Sequence, residues 1–482
     1  MKTILRIAEI GLIIIAMNLS SRLVSQDIDR TQRPTGKATP KVKLPNIEKT
    51  TLKNGLNVWL VERHALPVVA FNLVIQAGSD HDPALQPGLA SMVADLLDEG
   101  TQKRDALKIS AELESIGTSL NVNSSWDGSF VTFNCLTKHL PKALDVFADV
   151  VIHPTFPEKE FGRVQKTRLT SLMQQKDQAT TIANNSFSFI LYGSSHPYGS
   201  NPAGSEQSIG AITPADLKKY YETYYRPNNA TLIIVGDVSL KTVAPMLESA
   251  MADWNRSDVP AFTVPAAAPV EKMKIFLVDK PGAAQSEIRI GYPAVPRSTP
   301  DYFPLTVMNR MLGGQFTSRI NLNLREKHGF TYGARSGFGF QKGAGPFTAS
   351  AGVQTIKSDS SVQEFLNEIN LMHDKGMTEQ ELDFVKKGLV GNFALSFETS
   401  MQIAGALQNI ILYGLPENYF NNYLQNIDRV SLKDVGRVSK QYLETSKMIV
   451  LVVGDLAQIK ESIAKLNLGD IVVCGIDGKP IQ

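Results

Sequence analysis

The sequence predicts an α+β fold of two tandem homologous domains, each a mixed, mostly antiparallel sheet with helices packed on one face. Three observations lead there. First, Leu60-Val61-Glu62-Arg63 returns as Leu277-Val278-Asp279-Lys280, and Ile234-Val235-Gly236-Asp237-Val238 returns as Val452-Val453-Gly454-Asp455-Leu456, at almost the same offset along the chain. A near-constant offset between distant segments is the mark of a duplicated unit. Second, Thr213 precedes Asp237 by the same length of chain as Ser431 precedes Asp455, and each stands in N-cap position before an amphipathic stretch. Third, strand-like runs at 68–76, 129–136 and 230–235 alternate with longer helical stretches without a strict strand-helix repeat. That order favours a mixed sheet over a doubly wound parallel one.

In chain order, residues 1–25 place Lys2 and Arg6 ahead of an apolar run from Ile10 to Leu19 and read as a signal peptide. The run is short of the roughly twenty residues that span a bilayer. Membrane attachment is expected only if this segment stays uncleaved, and Ser20 to Ser25 offers no clean A-x-A site. Residues 26–45 are polar, basic and Pro-containing, as in a flexible arm. The N-terminal domain is placed at 46–257. Within it Leu89, Met92, Val93, Leu96 and Leu97 form one apolar stripe of a helix, so Ser91 and Asp95 share another face one turn apart. Alone, this is an ordinary amphipathic helix. Residues 258–270, with Pro260, Pro265, Pro269 and three consecutive alanines, read as the linker to a C-terminal domain at 271–482.

Composition narrows the function. The 482 residues are 43% hydrophobic and 20% charged, and 49 basic against 47 acidic residues leave a formal net charge of +2 with no long single-sign run. Such a balance offers no nucleic-acid surface. Cys135 and Cys474, one per half, do not make a disulfide framework; Cys135 falls in a strand-like run and reads as a buried thiol. No G-x-S-x-G elbow is present, and no two of the seven histidines have the spacing of a helical ligand pair.

Several segments in order carry a resemblance: Leu52 to Val61, Gly78-Ser79, Gly88-Leu89-Ala90, Gly100-Thr101, His196-Pro-Tyr-Gly199, Tyr225-Arg-Pro-Asn228, Val235-Gly-Asp237, Leu312 to Arg319 and Leu324 to Tyr332. From about Leu52 to Leu456 the chain resembles the processing-peptidase branch of the pitrilysin/insulinase (inverzincin) zinc peptidases. Active members place H-x-x-E-H on the first-domain helix and a further Glu on a later helix of the same domain. Here the two imidazole positions are Ser91 and Asp95, the carboxylate position is Ala94, and the stretch corresponding to the later helix, 161–176, contains no Asp or Glu. No metal is expected in this chain.

The resemblance also implies an Arg and a Tyr, seven residues apart, that hold the substrate backbone and stabilise the tetrahedral intermediate. Arg325 and Tyr332 match. Arg325 is expected in the last turn of a helix ended by Gly329, and Tyr332 at the start of the next strand. Gly313 and Gly314, ahead of that helix, would let a peptide backbone approach and count as substrate-binding candidates. Residues lost for zinc, with the Arg/Tyr pair kept, match the non-metal subunit of a heterodimeric peptidase. The expected partner is a homologous H-x-x-E-H subunit carrying the zinc, the substrate a peptide, and the location export to a bacterial periplasm. The alternative is an inactive peptidase-like protein that binds peptides or serves as a scaffold.

Overall fold

The computed structural model describes residues 46–481; the expected signal peptide at 1–25 and the arm at 26–45 lie outside them. Twelve strands form two six-stranded sheets. The first takes β1 (Glu48–Thr51), β2 (Asn57–Glu62), β3 (Val68–Ile75), β4 (Asn121–Ser124), β5 (Ser129–Leu136) and β6 (Ala230–Gly236), in the order β1-β2-β6-β3-β5-β4. The second takes β7 (Lys274–Asp279), β8 (Gln285–Val295), β9 (Thr331–Phe338), β10 (Gly345–Gln354), β11 (Ile449–Gly454) and β12 (Asp470–Cys474), in the order β12-β7-β11-β8-β10-β9. Both sheets are mixed. β2 runs parallel to β6 with Leu60 opposite Ile234, and β7 runs parallel to β11 with Leu277 opposite Val452. The repeated sequence segments are therefore the paired central strands of two equivalent sheets.

Eight helices position the site and tie the halves together: α1 (Leu89–Leu96), α2 (Glu158–Gln175), α3 (Ala179–Tyr192), α4 (Pro214–Tyr224), α5 (Tyr302–Leu312), α6 (Ser358–Lys375), α7 (Ser400–Tyr413) and α8 (Leu432–Tyr442). α4 and α8 begin at Thr213 and Ser431, and each closes a capping box with an aspartate, Asp216 or Asp434. Those side chains satisfy backbone N–H groups that a helix start leaves unpaired.

Each sheet packs one face on a core made with helices of its own half. The other face takes a helix from the opposite half. Val61, Val74, Ile233 and Val235 of the first sheet pack against Ile403, Ala404, Leu407 and Ile410 of α7. Val278, Ile449, Leu451 and Val453 of the second pack against Ile182, Ala183, Phe187 and Leu191 of α3. A polar contact fixes each crossing: Asn72 on β3 donates to Gln408 on α7 at 2.8 Å, and Arg289 on β8 donates to Asn184 on α3 at 3.0 Å. Asn72 and Arg289 stand at the same repeat offset as Leu60 and Leu277.

Between the halves, Trp254 to Glu271 carries neither helix nor strand. It is held against the first half by His196, whose ring N–H donates to the Pro265 carbonyl at 3.0 Å, and by His81, whose ring lies 4.5 Å from that of Phe262. The His-Pro-Tyr-Gly motif is thus a clasp: Tyr198 donates to Asp127 at 2.6 Å and accepts from the Gly343 N–H of the second half at 3.0 Å.

Because each half completes the other's sheet, damage to one exchanged helix should weaken both halves at once. Leu407→Ala is expected to cost about 2–5 kcal/mol. Denaturant melts followed by the tryptophans, which all lie in the first half, and by a probe placed in the second half should shift together.

Candidate functional site

α1 starts without a side-chain cap of its own, behind Gly88 at φ 97°. Asp82 supplies the missing acceptor from upstream, taking the N–H of Gly88 at 2.8 Å and of Ala90 at 2.7 Å. The apolar stripe of α1 is buried in the first core. Its other face, with Ser91 and Asp95, is turned to α2.

From α2, Arg168 reaches across. Its guanidinium donates to Ser91 Oγ at 2.9 Å, to Asp95 Oδ2 at 2.5 Å and to the Ala203 carbonyl at 2.9 Å. The two positions expected to hold imidazoles in an active relative are thus joined by one organic cation. Zinc does not fit here. The donor set is one hydroxyl and one carboxylate, both already engaged, and a divalent ion would sit against a fixed positive charge. Ala94, at the position of the proton acceptor, is buried and has no acceptor group. Among the described residues no three His, Cys, Asp or Glu side chains gather as a ligand set.

A cleft of about 580 Å³ remains beside this pair, bounded by Asp95, Asp98, Arg168 and the edge strand β4. Burial, aided by the nearby Glu99 and Asp95 charges, pushes the Asp98 carboxyl up to about 6. The two duplicated edges differ. β9, the counterpart of β4, is sealed on its outer side: Ala334 N–H donates to Asn321 Oδ1 at 3.0 Å, Ser336 N–H to the Gly313 carbonyl at 3.1 Å, and Asn309 Nδ2 to the Ser336 carbonyl at 3.0 Å. β4 has β5 as its single strand neighbour among the described residues.

Arg325 and Tyr332 stand at the sealed edge. Arg325 lies in a π-helical turn, Leu322–Lys327, rather than in an ordinary α-helical end. The turn is anchored on both sides. Asn321 donates to the Phe316 carbonyl at 2.7 Å, and Asn323 donates to Glu364 and Glu368 of α6, both at 2.7 Å. Gly329, at φ 64°, then reverses the chain with its N–H on the Arg325 carbonyl at 3.1 Å. Thr331 pairs with Val353 and Ala334 with Ala351, so Tyr332 and Gly333 together oppose Gly352 in a β-bulge. The bulge turns Tyr332 outward, 90% exposed. No hydrogen bond joins Arg325 to Tyr332 among the described residues. Arg325 pairs only loosely, with its neighbour Glu326 at 3.5 Å, and its guanidinium lies 4.6 Å from the centre of the Phe316 ring.

Gly313 and Gly314, the substrate-binding candidates, are each packed on the side where a Cβ would stand. A Cβ on Gly313 would lie 2.3 Å from Ser336, so this glycine brings the end of α5 onto β9, and one on Gly314 would lie 3.0 Å from the backbone of α5 itself. Sequence reasoning also missed Arg168. The signal was a charge reversal: an aspartate in an imidazole position, facing a stretch that lacks acids and carries Arg163, Lys166 and Arg168.

The chain matches the profile "Insulinase (Peptidase family M16)" over residues 57–189 and the profile "Peptidase M16 inactive domain" over residues 211–389. A Helicobacter pylori protein described as "Non-peptidase homolog YmxG" is 26% identical over 400 residues, covering 82% of this chain and 90% of the relative. Another from Helicobacter pylori, "Zinc protease PqqE", is 23% identical over 420 residues, covering 84% and 92%. The crystal structure of a peptidase M16 inactive domain from Pseudomonas fluorescens superposes with a TM-score of 0.80 at 27% identity, covering 85% of this chain and 98% of that one.

The Arg168 plug predicts how a metal could be restored. Ser91→His, Ala94→Glu and Asp95→His together should take up no zinc while Arg168 remains, and about one ion per chain once Arg168→Glu is added; metal analysis of the purified variants reads the difference. Asp98 makes a separate claim about pH. Because its folded value is raised, its contribution to stability is fully present below the unfolded value near 4 and is lost as pH rises through about 6. Asp98→Asn should therefore stabilise the protein by about 1–3 kcal/mol at pH 8 and far less at pH 4, measured by urea melts at both.

Proposed function

The chain belongs to the insulinase (M16) peptidase family with that family's zinc residues replaced, and on that premise we propose that it is the non-metal subunit of an exported two-subunit zinc peptidase. Its Arg325 and Tyr332 would act in trans on a peptide held at the zinc site of a homologous H-x-x-E-H subunit. One observation carries this reading: both residues sit on local backbone irregularities, a π-turn and a β-bulge, that present Tyr332 to solvent and leave the Arg325 side chain 34% exposed, neither with a strong internal partner. Such irregularities recur at functional sites because they aim side chains that regular geometry would bury. A guanidinium so presented can hold a peptide carbonyl by charge-assisted hydrogen bonds, and the phenol can donate to a developing oxyanion. The two Helicobacter pylori relatives, one described as a non-peptidase homolog and one as a zinc protease, support a pairing of such chains. Export to a bacterial periplasm is supported by the Lys2, Arg6 and Ile10–Leu19 pattern.

A second reading draws on the other edge. The β4 strand is open beside the plugged zinc position, and an extended peptide could add to it as a further strand with no catalytic partner present. The chain would then be an inactive peptide-binding or scaffold protein.

The discriminating experiment is capture of the tagged protein from its own host, followed by reconstitution with the homologue recovered. Tyr332→Phe should lower turnover of the reconstituted pair roughly a hundredfold, the scale of a lost oxyanion donor, while assembly is unchanged. Unchanged turnover would sink the trans reading, and capture of the chain without any H-x-x-E-H homologue would favour the second.

A further inference from the structure

Resting on the reading of Arg325 and Tyr332 as peptide contacts, we infer that Phe316 forms an apolar subsite beside them that selects a large apolar side chain in the bound peptide. Phe316 lies in the short connection after α5, and its ring is 63% exposed. The connection itself is firmly held. Its Gln315 side chain accepts from Arg310 at 3.1 Å, the Gly314 carbonyl accepts from Arg310 at 3.2 Å, and the Phe316 carbonyl accepts from Asn321 at 2.7 Å. Asn321 is 4% exposed, and its Oδ1 takes the N–H of Ala334, just past Tyr332. One buried amide thus fixes both the backbone under the Phe316 ring and the strand that carries Tyr332.

The ring's surroundings give the chemistry. Arg325 places its guanidinium over the ring, 4.6 Å from the centroid. A contact with a ring occupies none of the guanidinium's N–H donors, and its one ion pair, to Glu326, is loose, so donors remain for a carbonyl. A peptide carbonyl held by Arg325 therefore brings the neighbouring peptide side chain to the Phe316 ring. An apolar side chain there would cover ring surface that this chain leaves exposed. A cationic side chain would be desolvated against it and repelled by the Arg325 guanidinium.

Fluorescence anisotropy with the full chain and a series of labelled extended peptides, polar and differing in one central residue, Phe, Leu, Ala or Lys, tests the subsite. The Phe and Leu peptides should bind roughly tenfold more tightly than the Ala peptide, Phe316→Ala should abolish that preference, and Phe316→Tyr should keep most of it, with circular dichroism unchanged in both variants. A preference that survives Phe316→Ala, or a parent protein that does not discriminate among the peptides, overturns the assignment. So does a Phe316→Ala variant that keeps its peptide preference but no longer captures its partner, which would place the ring in subunit docking. Binding is read without the zinc subunit, so failure of the trans reading in the Tyr332→Phe turnover test is a distinguishable result.

Discussion

The reciprocal crossing of α3 and α7 is the constraint on which the rest of the molecule depends. A sheet of this kind has two apolar faces, and the helices of its own half cover one of them. The second face would be left in water unless another element covered it, and the duplicated half supplies that element in both directions. Exchange makes the halves one unit, so the position of the α1/α2 cleft is fixed relative to the Arg325 turn. The Asn72 to Gln408 and Arg289 to Asn184 contacts add registry: a helix slipped by one turn would cost the buried Asn72 side chain its partner on α7 and Arg289 its bond to α3.

Within this exchanged pair of sheets, the replacement of the imidazole and carboxylate positions by Ser91, Asp95 and Ala94 is accompanied by a repair. A zinc site stripped of its imidazoles and carboxylates leaves two helices facing each other across a polar gap. Arg168 closes the gap with one side chain that satisfies a hydroxyl, a carboxylate and a loop carbonyl together, as the fork geometry of a guanidinium allows. The positive charge that a metal would bring is supplied by the protein, and α1 keeps its place beside the β4 edge. In the second half the duplicated edge is sealed instead, with Arg325 beside it on a π-turn and Tyr332 turned outward by a bulge. The two halves, alike in topology, thus present different edges: one open to a strand, one carrying aimed side chains.

What the sequence determined by itself was the part of the structure set by local rules. The return of Leu60–Arg63 at Leu277–Lys280, the N-cap residues Thr213 and Ser431, the strand 129–136 and the apolar stripe of α1 all express short-range periodicity and capping, and each is legible without knowing its neighbours. The absence of imidazoles at Ser91 and Asp95 and of a carboxylate at Ala94 was equally plain. Only the tertiary structure decided what fills the gap, which edge is open and which face of each sheet is covered by the other half, because these depend on contacts between residues far apart in the chain. Arg168 meets Asp95 from a different helix, and Asn72 meets Gln408 from the opposite half. Gly313 makes a related point: in the chain it reads as open backbone, and in the fold the side where a Cβ would stand is taken by Ser336 of β9.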